Sequence, residues 1–342
     1  MADSRNSPEA RELATLDEVA LAAGVARSTA SRALNGGVAS PATVKAVAEA
    51  AKKLGFVPNR AARTLAKQRT EAIALVIPES PSFIFYDPFL AVVTSACSTA
   101  FWKSGLQPML VLLDPENPVS TISRFLHAGN VDGMVVTSFH KNEEVEALLA
   151  GSGIPAVFIG RPPGETDFPY VDVDNRAGGY RATEYLLRQG RRHIACFGGF
   201  LNMTPSIDRR EGFLQAHRDA GVEPGPYFEG PFSTGVGIES ATKMLREYPE
   251  TDAIFAQSDA LAAGAIQALR AAEVLVPDDI AIVGYDNFAT ATEVFPNLTT
   301  IAQPAHELAD CAAELMIGRL KDGYWAEYPR ILPAELVVRG SA

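Results

Sequence analysis

Cysteine is scarce in this 342-residue chain: Cys97, Cys196 and Cys311 are far apart and odd in number. That excludes a disulfide framework and a cysteine zinc site. The five histidines, at 127, 140, 193, 217 and 306, show no ligand spacing, so no metal site is expected. No run of about 18 apolar residues exists to span a membrane. The opening segment MADSRNSPEARELA is charged and has no apolar core of the signal-peptide kind, so a cytoplasmic protein is expected. Catalytic fingerprints are missing too. There is no P-loop, no Gly-x-Ser-x-Gly and no His-Glu-x-x-His. GVGIES, at 235–240, is a partial glycine pattern without its last glycine or an upstream strand. Neither an enzyme nor a cofactor is expected.

Positive charge is in deficit overall, with 30 Lys and Arg against 41 Asp and Glu, a net charge of −11. Taken alone this argues against a nucleic-acid partner, but the distribution reverses the argument. Residues 24–70 hold nine Lys or Arg and one acid, Glu49, whereas residues 71–342 hold 19 bases and 35 acids. A phosphate backbone meets the local field, not the total. A small basic module on a large acidic body fits this asymmetry. The length and an apolar content of 47% suit two or three packed domains.

The basic module reads as helices. Thr15 with Glu18 three places on is a capping box. Leu16, Val19, Ala20 and Ala23 follow at helical spacing, and Gly24 stops the helix. After a short turn, GVARSTASRALNGG supplies a second helix. Ser40-Pro41 then starts a third, with Ser as N-cap and Pro at the first position. Val44, Val47, Ala48, Ala51 and Leu54 form its expected buried stripe. This is a helix-turn-helix arrangement. The small residues Ala20, Ala23, Gly24 and Ala30 allow a close crossing that leaves Arg27, Ser28, Ser31 and Arg32 facing outward together. In a major groove, Arg donates two hydrogen bonds to guanine, and hydroxyls reach phosphates or bases.

TLDEVALAAGVARSTASRALNGG together with GFVPNRAARTLAKQ resembles the DNA-binding head of the lac-repressor family of bacterial transcription regulators. The resemblance implies that Arg27, Ser28 and Arg32 read bases and that Thr29 and Ser31 lie near phosphates. Thr15, Asn35, Asn59, Arg60 and Ala62 complete the expected DNA-binding set. Ala26 departs from the family's usual capping Ser or Thr, and Ala30 from a common Val. The segment PNRAARTLAKQRT, at 58–70, reads alone as a marginally helical linker. By resemblance it is a hinge that orders on DNA in a dimer, with Leu65 wedged into the minor groove to unstack a base step.

From residue 71 apolar strands alternate with helices. Strands are expected at 72–78, 109–114, 133–138 and 155–160, with helices near 88–104, 118–129 and 142–151. A second series places strands near 193–198, 253–257 and 280–285, and helices near 175–190, 207–221, 236–248 and 259–273. Such alternation means parallel sheets covered on both faces, here in two doubly wound lobes. Ligands bind off the carboxyl ends of such strands, so the cleft between lobes is the expected site.

The resemblance extends over the body, through VDVDNRAGGYRATEYLLRQGRRHIACFGG, DRREGFLQA, FAQSDALAAGAIQAL, VPDDIAIVGYDN and LTTIAQP. It implies a fold similar to periplasmic sugar-binding proteins. The domain expectations are a tail at 1–14, the head at 15–57, a hinge at 58–71 and an effector domain at 72–342. Lobe one then spans about 72–172 and 303–331, and lobe two about 173–302 and 332–342. By the same resemblance, Asp87, Phe89, Arg161, Arg209, Phe232, Ser258 and Asp286 contact the effector. Arg and Asp suit paired sugar hydroxyls, and Phe suits the apolar sugar face. Phe83, Phe85 and Tyr86 line the cleft mouth or a dimer interface. The expected partners are a palindromic DNA operator, a small sugar-like effector and a second copy of the chain. Rival readings are a sugar transport receptor, a sugar-modifying enzyme, or a regulator without effector control.

Overall fold

The computed structural model describes residues 14–34, 37–56, 69–79, 84–114, 116–137, 139–164 and 166–342. The chain divides into two compact units, one up to Thr70 and one from Glu71. The expected DNA contacts Asn35, Asn59, Arg60, Ala62 and Leu65, and Phe83, lie outside the described residues.

The first unit has three helices, α1 (Leu16–Ala22), α2 (Arg27–Leu34) and α3 (Pro41–Leu54). The capping box forms: the backbone N–H of Glu18 donates to Thr15 Oγ1 at 3.3 Å, and that of Thr15 donates to Glu18 Oε2 at 2.6 Å. Ser40 caps α3, and Gly55 ends it in the left-handed conformation. The core is Val19, Ala20, Ala30, Val47, Ala50 and Ala51. The buried face of α3 is therefore narrower than its spacing suggests. Ala50 replaces Ala48, and Val44 and Leu54 are exposed, because two short partner helices cover only the middle of a fourteen-residue helix.

The second unit holds two six-stranded sheets. Lobe one has the spatial order β11-β5-β4-β3-β1-β2, all parallel. Its strands are β1 (Ala72–Ile77), β2 (Gln107–Leu112), β3 (Gly133–Thr137), β4 (Ala156–Ile159), β5 (Tyr170–Val173) and β11 (Arg330–Leu332). Helices α4 (Pro88–Lys103) and α12 (Ala305–Asp322) cover one face. Helices α5 (Pro118–His127) and α6 (Glu143–Gly151) cover the other. All six residues of β1 are buried, as a strand covered on both faces requires.

Lobe two has the order β12-β10-β9-β8-β6-β7. Its strands are β6 (Ile194–Gly198), β7 (Tyr227–Glu229), β8 (Ala253–Ala256), β9 (Ala281–Asp286), β10 (Thr299–Ala302) and an antiparallel edge, β12 (Glu335–Val337). Helices α7 (Asn175–Arg188) and α8 (Thr204–Ala220) pack on one face. Helices α9 (Thr234–Glu247) and α10 (Asp259–Ala271) pack on the other, and the single turn α11 (Thr290–Glu293) follows β9. Two helix pairs approach so closely that a side chain does not fit. A Cβ on Gly179 would stand 2.2 Å from the carbonyl oxygen of Arg209, and one on Gly212 2.1 Å from that of Arg176. Gly237 and Gly264 meet the same limit between α9 and α10.

The chain crosses between lobes three times: after β5, after β10, and between β11 and β12. Val173 and Leu332 still pair within the first sheet. The first and last crossings thus fall one residue later than the division expected at 172 and 331.

Candidate functional site

On α2, Arg27, Ser28 and Arg32 are exposed and Thr29 and Ser31 half-buried. Arg27 pairs with Asp17 at 3.3 Å, but both side chains are about 70% exposed, so the tether is weak. Arg32 lies back along its own helix, its Nε donating to the Ser28 carbonyl at 3.2 Å. The Thr15 hydroxyl is engaged in the capping box.

In the second unit, the carboxyl ends of both sheets open onto a common cavity of about 300 Å³. Its floor is built around Arg209 of α8, which is 4% exposed. Arg209 Nε donates to Asn175 Oδ1 at 2.8 Å, Nη1 to the Gln257 carbonyl at 2.6 Å, and Nη2 to Gln303 Oε1 at 3.2 Å. The guanidinium also stacks 3.6 Å from the Tyr285 ring centroid and stands 5.8 Å from that of Phe232. Asp286 Oδ1 is 3.9 Å from Nη1. Asp286 has φ +114° and Asn287 φ +63°, a left-handed turn that aims the carboxylate into the cavity at a cost in backbone strain. Burial raises the Asp286 carboxyl well above the usual carboxylate range; Arg209 opposes this, and Asp259 and Asp87 add to it.

Asp87 caps α4 through Oδ1, which accepts from the Leu90 N–H at 3.2 Å. Burial pushes its carboxyl up. Side-chain contacts join the lobes at the cavity wall. Arg161 of lobe one donates from Nη2 to both oxygens of Asp208 in lobe two, at 2.8 and 2.6 Å. His140 of lobe one sets Nε2 3.0 Å from Glu79 Oε1 and Nδ1 3.0 Å from Asn202 Oδ1 of lobe two. Phe89, Phe139, Phe200, Phe232 and Phe288 supply apolar wall. Among the described residues no group of three His, Cys, Asp or Glu could hold a metal ion.

Residues 15–59 match the model for bacterial regulatory proteins of the lacI family, and residues 183–342 match that for a periplasmic binding protein-like domain. The HTH-type transcriptional regulator CelR of Thermobifida fusca is 36% identical, over 97% of this chain and 99% of its own.

This chain belongs to the lacI family.

Among solved structures, a transcriptional regulator CelR–cellobiose complex superposes with TM-score 0.76 at 34% identity, covering 96% of this chain and all of its own. The lac repressor dimer bound to operator and an anti-inducer superposes with TM-score 0.84 at 25% identity, covering 96% and 99%. The chain is a lacI-family transcriptional regulator, with helix-turn-helix helices followed by two parallel-sheet lobes.

All seven effector-contact residues expected from the sequence line the one cavity: Asp87, Phe89, Arg161, Arg209, Phe232, Ser258 and Asp286. Beyond the bonds of Arg209, Asp87 and Asp286 given above, two more have their polar groups engaged. The Arg161 guanidinium is held by Asp208, and the Ser258 hydroxyl caps α10 by accepting from the Leu261 N–H. Phe85 and Tyr86 are not in the cavity wall and are exposed. The sequence reading missed Glu79, His140, Asn175, Gln257 and Gln303. Each of the five sits no more than three residues past the end of a strand, and that rule of position would have found them.

Proposed function

We propose that the chain is a homodimeric, cytoplasmic repressor without enzymatic turnover. In this reading α2 reads a palindromic operator and the interlobe cleft takes an uncharged carbohydrate that switches operator affinity. Residues 58–71 are the hinge, with Leu65 the minor-groove wedge, and Asp87, Arg209, Phe232 and Asp286 hold the effector. The domain limits are those given above. The observation that carries the reading is the charge pairing around the cavity. Glu79 is matched by His140, Asp208 by Arg161 and Asp286 by Arg209. Asp87 has no ion-pair partner among the described residues, and His140, Arg161 and Arg209, the cationic side chains that line the cavity, each already face a carboxylate. A phosphate or carboxylate would have to displace one of those partners in a site of low dielectric. Hydroxyls suit it, because they accept from Arg209 and donate to Asp286 and Asp87. The aromatic walls suit an apolar sugar face, and cellobiose is the ligand in the complex of the related regulator.

The test is selection of purified protein on random duplex DNA, followed by titration of the recovered site with sugars. We expect a palindrome, and binding of that site altered by cellobiose or another neutral sugar but not by glucose 6-phosphate. Failure to enrich any site with or without sugars would sink the operator reading. Preference for the phosphorylated sugar would sink the effector reading. Leu65→Ala should weaken operator binding far more than nonspecific binding; equal losses would remove the wedge.

A further inference from the structure

Arg209 does more than face the cavity. Its three hydrogen-bond partners include the side chains of Asn175 and Gln303. Asn175 is the second residue after β5, on the first crossing between lobes. Its Nδ2 donates to Asp172 Oδ1 at 3.1 Å and to the Val173 carbonyl at 3.2 Å, so the amide clamps the crossing strand itself. Gln303 is the first residue after β10, on the second crossing. Its Nε2 donates to Asp286 Oδ1 at 3.3 Å, and its backbone N–H to the Asp286 carbonyl at 3.1 Å. Both crossings are therefore tied to one guanidinium. The third crossing is held by other groups. The Asp174 N–H donates to the Leu332 carbonyl at 2.9 Å, and Arg181 donates to the Ala334 carbonyl.

We propose that Asn175 and Gln303 are positioning residues through which Arg209 couples effector occupancy to the first and second interlobe crossings. The proposal deepens the effector reading and rests on it. A guanidinium has five N–H groups. Three are taken by Asn175, Gln257 and Gln303, which leaves two for Asp286 and an effector oxygen. An effector hydroxyl that bridges Arg209 and Asp286 enters between the two groups that hold the Gln303 amide. Gln303 must then adjust, and Gln303 is the crossing. On the far side of the same guanidinium Asn175 feels the change through Nε. Nothing has to pass through the sheets, since the polar cluster itself spans both strands.

The test reads one crossing after perturbing the other. Gln303→Met keeps the length of the side chain and removes its hydrogen bonds. Amide hydrogen exchange is followed by mass spectrometry on the full chain without effector. We expect exchange to rise at least about threefold across residues 300–306 and also across 170–176, with residues 332–337 unchanged. A rise confined to 300–306, a rise in all three segments, or no rise overturns the proposal. If Gln303→Met fails to fold, Asn175→Ser read at 300–306 is the reciprocal test with the same outcomes. A second arm uses cellobiose as the probe. In the Gln303→Met variant, titrated to saturation at whatever Kd it shows, the effect of cellobiose on operator affinity should collapse from the usual allosteric range of about 5- to 150-fold toward unity. Full coupling in that variant overturns the relay. Absence of cellobiose binding to the wild type counts against the effector reading instead, and the exchange arm still decides whether the crossings are tied.

Discussion

A single methyl group at Gly179 should displace the residue at the centre of the cavity. The Cβ of Gly179→Ala would stand 2.2 Å from the carbonyl oxygen of Arg209 and 2.9 Å from its Cα, where ordinary contact begins at 3.4 Å. The obstacle is backbone, so no rotamer relieves it and α8 must retreat by about 1 Å. Arg209 goes with it. Its bonds to Asn175 and Gln257, now 2.8 and 2.6 Å, stretch beyond hydrogen-bond range. Overpacking of this kind costs about 1–3 kcal/mol. For a body of this size that is a drop in Tm of roughly 2–10 °C. Gly318 provides the matched control, since it lies inside α12 and an added Cβ meets nothing within 4 Å. Gly318→Ala should gain about 0.5–1 kcal/mol from helix propensity alone. The same substitution thus has opposite signs at two helical sites. Scanning calorimetry of both variants, with a sugar titration of each, checks this. An unchanged Tm in Gly179→Ala, or a rise equal to that of Gly318→Ala, would falsify the close-crossing argument.

Two histidines should give opposite pH responses. His217 is fully buried on α8, with Nδ1 2.9 Å from the Phe213 carbonyl and, among the described residues, no hydrogen-bond partner for Nε2, and burial lowers its pKa. The unfolded chain then binds a proton that the folded chain refuses, so stability falls as pH drops below about 6.5, by at most about 1.4 kcal/mol per pH unit. His217→Gln should flatten denaturant midpoints between pH 5 and 7. For His140, burial opposes the charge, but the bond and charge of Glu79 and the contact with Asn202 outweigh it and raise the pKa. Its contribution is complete below the unfolded pKa of about 6.5 and is lost as pH rises through the folded value. Asn202→Ala should lower the imidazole pKa read by NMR; no change would mean the lobe-two contact adds nothing. In the first unit, Thr15→Ala removes the capping box and should cost about 0.5–2 kcal/mol in thermal unfolding of the head. An unchanged melting curve would show that α1 needs no cap.

Legibility in the sequence followed burial. Strands covered on both faces, such as AIALVI of β1 and GMVVT of β3, are unbroken apolar runs and stand out. YFE of β7, RIL of β11 and ELV of β12 are three residues each, too short to show a period of two. Helix α12 carries clear spacing at Leu308, Ala312 and Leu315, yet only its lobe followed from the sequence. Cap chemistry was local and therefore readable at Thr15 and Ser40. In the cavity, the charged residues attracted notice and the amides did not. Asn175 and Gln303 in the wall, and Gln257 buried behind it against Arg209, carry no pattern of their own and acquire their role from strand ends brought together by the fold. The partner of Arg161 was equally hidden, because Asp208 lies 47 residues away on the other lobe.

The three crossings also set an order of assembly on the ribosome. The three-helix head contains all of its own contacts once its short stretch of chain has emerged. Lobe one is different: the spatial neighbour of β5 is β11, and every residue of the second sheet except its β12 edge is synthesised between them. Domains generally form in the order in which they leave the ribosome. Here the lobe that begins first must wait for the last strands, holding β5 as an open edge while its neighbour folds. A nascent chain halted before Arg330 therefore presents a finished DNA-reading head beside two sheets that each lack an edge strand.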